Sequence, residues 1–576
     1  MNYPIWELPA AGLLIAFVAV VHVFVSHFAV GGGLFLVLTE RKARKENDGA
    51  LLDYVRRLSR FFVLLTLVFG AVTGVGIWFT IGLVHPSATA ALINVFVWGW
   101  AIEWTFFFVE IAAALVYYYG WDRLTAKMHM AIGWIYFGAA WASMIVINGI
   151  LTYMMTPGRW LETFSFWDGF FNPTYWPALW IRSLGAIGLA GVYALFTASW
   201  LVSPELKTKV WRWATFGWVV PMAVGIPIGL VWFFSAAASA GIPVASMFGA
   251  TSARPLAILA AVFAPAASGH PVAQTALRVA FISLALVIVL SFAVAALRKT
   301  SWARVATAAL MLAALAAVGG AEWVREDLRK PYVIGSHMFV SGIRIPPPDG
   351  SHAATTPSLD PIRIDRLAES GILPVTRFSA LPAEVRNASV IPAEHEEAAG
   401  REVFRLTCSQ CHTIDGYVAI RPLVAGKSAP TIEGLLDRLA LPRDIHGGNA
   451  TWSTPGVVLA SWRNRAMPPF SGTASEKRAL AVYLATLGGG SVDQPAPSET
   501  ADAGAGLFEE NCAMCHGPDS DWPLLERVAG RSEEQLYEEI GDLEAVNGMM
   551  PPFEGTDEER RALASWIATA AAGGAL

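Results

Sequence analysis

The chain has 576 residues, 55% hydrophobic and 15% charged, with 23 tryptophans and a net charge of −5. That balance excludes a protein built on one large soluble core and describes a membrane protein carrying polar domains. The charge is uneven, with 32 acidic against 19 basic residues from Ser341 onward. An acidic soluble half argues against nucleic acid and fits a partner with a basic docking face.

Eight apolar runs are long enough to cross a bilayer, at about 10–38, 60–83, 92–119, 130–153, 178–202, 211–238, 276–297 and 303–323. The first is too long for the apolar part of a cleavable leader, and no basic stretch precedes it. Lys and Arg follow the first run (Arg41, Lys42, Arg44, Lys45), the third (Arg123, Lys127), the fifth (Lys207, Lys209, Arg212) and the seventh (Arg298, Lys299, Arg304). The positive-inside rule then puts the N-terminus outside and returns the chain to the outside after the eighth run. The outer segment 156–177 is crowded with aromatic residues and reads as an interfacial belt. Residues 239–275 read as a second external loop.

Ionisable side chains inside these runs are expensive in lipid and are functional candidates. The first run carries His22 and His27, five residues apart and so about 140° apart on a helix, which points them at different neighbours. The third run carries Glu103 and Glu110, seven apart and on one face. Arg182 and Arg278 sit near the outer ends of the fifth and seventh runs, placed to snorkel, to pair or to meet a propionate.

Beyond the membrane part, residues 341–397 read as a Pro-rich linker. Cys408-Ser-Gln-Cys411-His412 and Cys512-Ala-Met-Cys515-His516 each match the haem c attachment signature, in which two thiols form thioethers and the His binds iron. Each is followed by Met-Pro-Pro-Phe, offering Met467 and Met550 as thioether ligands that raise the potential. All four cysteines are used in this way, leaving none for disulfides or zinc. Gly400-x3-Phe404-x3-Cys408 matches Gly504-x3-Phe508-x3-Cys512, so the soluble half is an internal repeat. Both copies resemble class I cytochromes c. Since haem c is attached on the outer side of bacterial membranes, the motifs place residues 324–576 in the periplasm, in agreement with the charge pattern.

The expected fold is all-α. An eight-helix transmembrane haem-binding bundle occupies 1–340, the linker 341–397, a first cytochrome c domain 398–488, a flexible spacer 489–500 and a second cytochrome c domain 501–576.

The membrane part resembles subunit I of the cytochrome bd quinol oxidases. The resemblance rests on His22 with Glu40, Ala101-Ile-Glu103 through Glu110, Gly120-Trp-Asp-Arg-Leu124 with His129-Met130, Asn172-Pro173, Trp323, and Glu326-x-x-Arg329-Lys-Pro-Tyr332. It implies that His22 is an axial ligand of the oxygen-reactive haem and that Glu103 and Glu110 handle protons or iron near it. It implies that Glu326, three residues before Arg329, matches the carboxylate ligand of a high-spin haem b. One or two membrane haems of b or d type and a subunit II-like partner follow from the same resemblance. The chain departs from the family where Arg182 and Ala280 stand in place of the two ligands of the low-spin, quinol-side haem. The segment 239–275 is also shorter than the family's quinol-binding loop, and the family's ninth helix gives way to the haem c domains.

These readings imply a membrane oxidoreductase passing electrons between periplasmic haems c and a membrane haem. The favoured form is a terminal oxidase fed by a soluble cytochrome c or another periplasmic redox protein. The alternatives are a quinol dehydrogenase sending electrons outward, with His22 and His27 both on electron-transfer haems, and an anchored cytochrome subunit of a larger respiratory complex.

Overall fold

The structure, a computed structural model, describes residues 11–242, 244–264, 271–298, 300–345, 362–376, 378–416, 418–440, 468–492, 503–517, 524–528, 530–546, 550, 552–553 and 555–573. It divides into two compact units, Ala11–Gly342 and a second made chiefly of Ile343–Leu576.

Eight helices of the first unit are long and apolar enough to cross a membrane. They are α1 (Ala11–Lys45), α2 (Gly49–Val84), α3 (Val97–Tyr119), α4 (Ala126–Met155), α5 (Tyr175–Ala198), α6 (Pro204–Ser239), α7 (Pro271–Leu297) and α8 (Trp302–Arg329). The eight apolar runs thus all become spans. Several helices outrun the apolar stretch that marked them: α1 continues to Lys45, α2 begins at Gly49 and α8 ends at Arg329. Hydropathy registers only the part in hydrocarbon, whereas Arg- and Lys-rich turns continue a helix readily into the headgroup zone. α2 starts at an N-cap in which the Asp48 carboxylate accepts from the Leu51 amide at 2.9 Å.

α1 is central and packs against α2, α4, α5 and α8, while α3 pairs with α4, α5 with α6, and α7 with α8. The core around α1 is aromatic. Phe28 stacks on Tyr193 of α5 at 3.9 Å between ring centroids and meets Phe62 of α2 edge-on at 5.5 Å.

A second core lies where the α4–α5 connection folds back. Trp160, Phe170 and Tyr175 are buried there against Phe96 and Tyr153. The 156–177 segment, expected as an interfacial belt, is therefore half core, with Trp167, Phe171 and Trp176 left exposed. A short antiparallel pair, β1 (Tyr332–Ile334) with β2 (Met338–Phe339), joins this core, and Gly335 donates to the Met154 carbonyl at 2.9 Å. The α6–α7 connection is also folded, with helical turns at Val244–Met247 and Pro255–Phe263.

In the second unit, α9 (Glu396–Thr407) packs on α10 (Ala474–Gly488), and α11 (Ala503–Asn511) packs on α12 (Asp557–Gly573). The expected linker 341–397 is not a free tether over its described part. It forms helical turns at Ile364–Ser370 and Ala383–Arg386. It is pinned by the buried Glu476 carboxylate, which accepts from the Ile372 and Leu373 amides at 2.7–2.9 Å while closing the capping box of α10 with Thr473.

Candidate haem and proton-handling sites

The two soluble copies share one crossing. A Cβ on Gly400 would fall 1.9 Å from the Ala479 carbonyl oxygen, and one on Gly504 would fall 2.2 Å from that of Ala562. Only glycine lets the backbones approach this closely. One turn on, Phe404 meets Tyr483 at 5.8 Å and Phe508 meets Trp566 at 4.7 Å. The Gly-x3-Phe repeat thus serves as a helix-crossing device that sets each cysteine motif at the end of its first helix.

The residues at the first motif fit a haem c. The Cys408 carbonyl accepts from the Cys411 amide at 3.0 Å and the His412 amide at 2.9 Å, a turn that gathers the three side chains. His412 Nδ1 donates to the Val418 carbonyl at 3.1 Å, which fixes the tautomer and leaves Nε2 for iron. Burial lowers the His412 pKa, keeping the imidazole neutral, and pushes the Cys408 thiol up to about 11. At the second motif the His516 amide donates to the Cys512 carbonyl at 2.9 Å, repeating the turn. Met550 is half-buried just before α12. Met467 and the Cys515 side chain lie outside the described residues.

In the membrane unit, His22 and His27 face different neighbours, as their spacing requires. His22 Nδ1 lies 3.1 Å from Thr73 Oγ1 on α2. The Thr73 hydroxyl itself donates to the Phe69 carbonyl at 2.9 Å, so it accepts from His22 and leaves Nε2 available for iron. A Cβ on Gly74 would lie 3.1 Å from the His22 ring, and the preceding turn, Leu64–Gly70, is π-helical, a distortion common at functional sites. His27 instead donates to the Val23 carbonyl at 2.8 Å and lies on the α5 side, beside Gly185.

Arg182 is paired. Its Nη2 lies 3.4 Å from Glu322 of α8, and Arg325 Nε donates to the same carboxylate at 2.8 Å. Arg325 also donates to Glu326 at 3.1 Å, and Arg329 holds the other Glu326 oxygen while donating to the Val333 carbonyl at 3.0 Å. Glu326 and Arg329, expected at a haem, are thus bonded to each other inside a five-residue chain of alternating charge. Arg278, by contrast, donates to the Val262 carbonyl.

Glu103 and Glu110 face α4 together. Ser143 donates to Glu103 Oε1 at 2.9 Å, and Tyr136 donates to Glu110 Oε1 at 2.9 Å. The next step along both helices is Tyr117 with His129, whose Nε2 lies 2.9 Å from the Tyr117 carbonyl. The three rungs are seven residues apart on each helix, or about 10.5 Å. At the last rung, Glu40 of α1 accepts from Tyr117 and Arg44, each at 2.7 Å, and lies 3.0 Å from His129 Nδ1. The Tyr117 and Trp121 rings cover the imidazole at centroid distances of 4.1 and 4.3 Å. The sequence alone assigns no role to Glu40, Tyr117, His129 or Glu322. The one local signal was the seven-residue step from Glu110 to Tyr117.

Residues 11–232 match the family model for cytochrome bd terminal oxidase subunit I, and residues 499–567 match that for cytochrome c oxidase, cbb3-type, subunit III. No curated protein matches the chain. Among solved structures, the bd oxidase from Geobacillus thermodenitrificans matches at 18% identity and a TM-score of 0.47, covering 56% of this chain and 87% of that one. The chain is a membrane respiratory oxidoreductase that joins a cytochrome bd subunit I-like domain to a cytochrome c-type domain at its C-terminal end.

Proposed function

We propose that the protein is a terminal oxidase that takes electrons from a periplasmic donor through two haems c and delivers them to dioxygen at a membrane haem held by His22. Cys408, Cys411, His412 and Met467 hold one haem c, and Cys512, Cys515, His516 and Met550 the other. When bound, the haems supply the electron transfer and the site of oxygen reduction. The N-terminus and both cytochrome domains lie on the periplasmic side. The donor is a soluble cytochrome c or a similar redox protein, and a subunit II-like membrane partner completes the assembly.

The observation that carries this reading is how the membrane carboxylates sort. Glu40, Glu322 and Glu326 all face cationic partners. Glu103 and Glu110 accept from the neutral hydroxyls of Ser143 and Tyr136 and have no cationic partner among the described residues. A carboxyl group in hydrocarbon with only neutral donors is suited to hold a proton and pass it on. Reduction of one dioxygen to two waters consumes four electrons and four protons, so an oxidase needs such a path, whereas an anchored cytochrome that only relays electrons does not. A quinol dehydrogenase would use the same groups to release two protons per quinol, and the donor separates it from the oxidase. Arg182, bonded to Glu322 where the family places a haem ligand, also favours a donor other than quinol.

Oxygen uptake by the purified holoprotein, driven by reduced cytochrome c and then by a quinol, tests the reading. Uptake with cytochrome c supports it. Quinol-driven reduction of the haems c without oxygen uptake supports the outward conduit instead.

A further inference from the structure

At the end of the bundle where α1 and α3 finish, two segments some sixty residues apart line a half-open cavity of about 440 Å³. Arg56, Arg57 and Arg60 of α2 line one side, and Tyr118, Tyr119, Trp121, Asp122 and Arg123 line the other. Asp122 is bonded to Arg56, Nη1 to Oδ1, at 2.9 Å. Arg57, Arg60 and Arg123 have no ion pair among the described residues, so the cavity wall carries a surplus of three positive charges.

Depth is set by helix length. α2 has 36 residues, about 54 Å of helix against a hydrocarbon core of roughly 30 Å. Its basic first turns therefore stand in the headgroup zone. Tyr118, Tyr119 and Trp121, at and just beyond the end of α3, are the residue types that lie at that level. Trp121 is held by its indole N–H on Ser59 Oγ at 3.0 Å. Its ring is thus a fixed wall of the cavity.

We infer that this cavity binds the phosphate headgroup of an anionic phospholipid, with Arg57, Arg60 and Arg123 meeting the phosphate and the aromatic side chains bordering the glycerol region. Basic pockets between membrane helices at this depth recognise anionic headgroups, and guanidinium groups match phosphate oxygens bidentately. A charge cluster serving only membrane topology needs no cavity and no joining of two distant segments.

The test uses the full-length holoprotein in detergent, with retained lipid read by native mass spectrometry. Dioleoyl-phosphatidylglycerol should be retained about tenfold over dioleoyl-phosphatidylcholine, and the R57Q/R60Q/R123Q variant should lose that preference with its haem spectrum intact. If the triple variant does not fold, R60Q and R123Q singly should each weaken retention about fivefold. Inorganic phosphate at equal concentration should leave retention unchanged. Equal retention of the two lipids by the unaltered protein, or an unaltered preference in the variants, overturns the proposal. Displacement of the lipid by phosphate alone overturns the lipid assignment in favour of a soluble anion.

Discussion

Tyr136 donates to Glu110 across the α3–α4 seam at 2.9 Å, midway between the Ser143–Glu103 and His129–Tyr117 contacts. Glu110 therefore stands between the Glu103 rung and the ion-paired Glu40 along the α3–α4 seam. Glu110→Gln should retain every haem yet slow oxygen consumption about a hundredfold, the usual weight of one acid–base group. Tyr136→Phe should slow it much less, because the carboxyl survives. Oxygen electrode traces at matched haem content check both.

His22 and His27 separate by test. His22→Ala should lose a membrane haem signal while both haem c bands persist. Thr73→Val, which removes the hydroxyl that accepts from His22 Nδ1, should weaken haem retention about tenfold. Extracted haem per polypeptide is the measurement, and full retention in His22→Ala would reject the ligand assignment.

The Arg182–Glu322 pair should behave as a partly buried ion pair. Arg182→Ala leaves Glu322 with Arg325 alone and should cost about 3 kcal/mol, read as a lower melting temperature. Arg182→Leu with Glu322→Leu should recover part of that loss, since Glu322 is no longer left short of a cation and Arg325 still has Glu326.

Gly400→Ala and Gly504→Ala each drive a methyl into a carbonyl oxygen at the helix crossing. Each should destabilise its own cytochrome domain by about 1–3 kcal/mol and leave the other unchanged. Domain-resolved thermal melts followed at the haem c bands distinguish the two.

Met467→Ala and Met550→Ala should each lower the potential of one haem c, since a thioether ligand raises it. Redox titration of the two bands gives the answer, and an unmoved potential would reject that ligand.

Much of this arrangement was legible in the sequence because it rests on periodicity. Seven residues are nearly two helical turns, so Glu103 and Glu110 had to face one neighbour, and five residues had to separate His22 from His27. The Gly-x3-Phe repeat likewise marks the soluble half as two copies of one plan, and the helix crossing it serves emerges only from the packing of Gly400 on Ala479 and of Gly504 on Ala562. What escaped were partners supplied by other helices. Nothing local to Arg182 identifies Glu322, 140 residues on, and nothing local to Glu326 shows that both of its oxygens are held by arginines. Glu40 stands with His22 among the residues that carry the resemblance, but its burial against Tyr117 and His129 comes from other helices and has no local signal. The Pro-rich composition of 341–397 hid the docking of Ile372 and Leu373 onto Glu476, because hydrogen bonds to backbone amides carry no sequence signature.

The proposed oxidase depends on an open, oxygen-reactive iron at His22, fed by haem c. A reduced-minus-oxidised spectrum of the purified protein, with haems extracted and quantified and then repeated under carbon monoxide, tests it most directly. The expected result is two haems c per chain and a membrane haem whose band shifts with carbon monoxide and vanishes in His22→Ala. Two haems c with only low-spin haem b, unmoved by carbon monoxide, would contradict it.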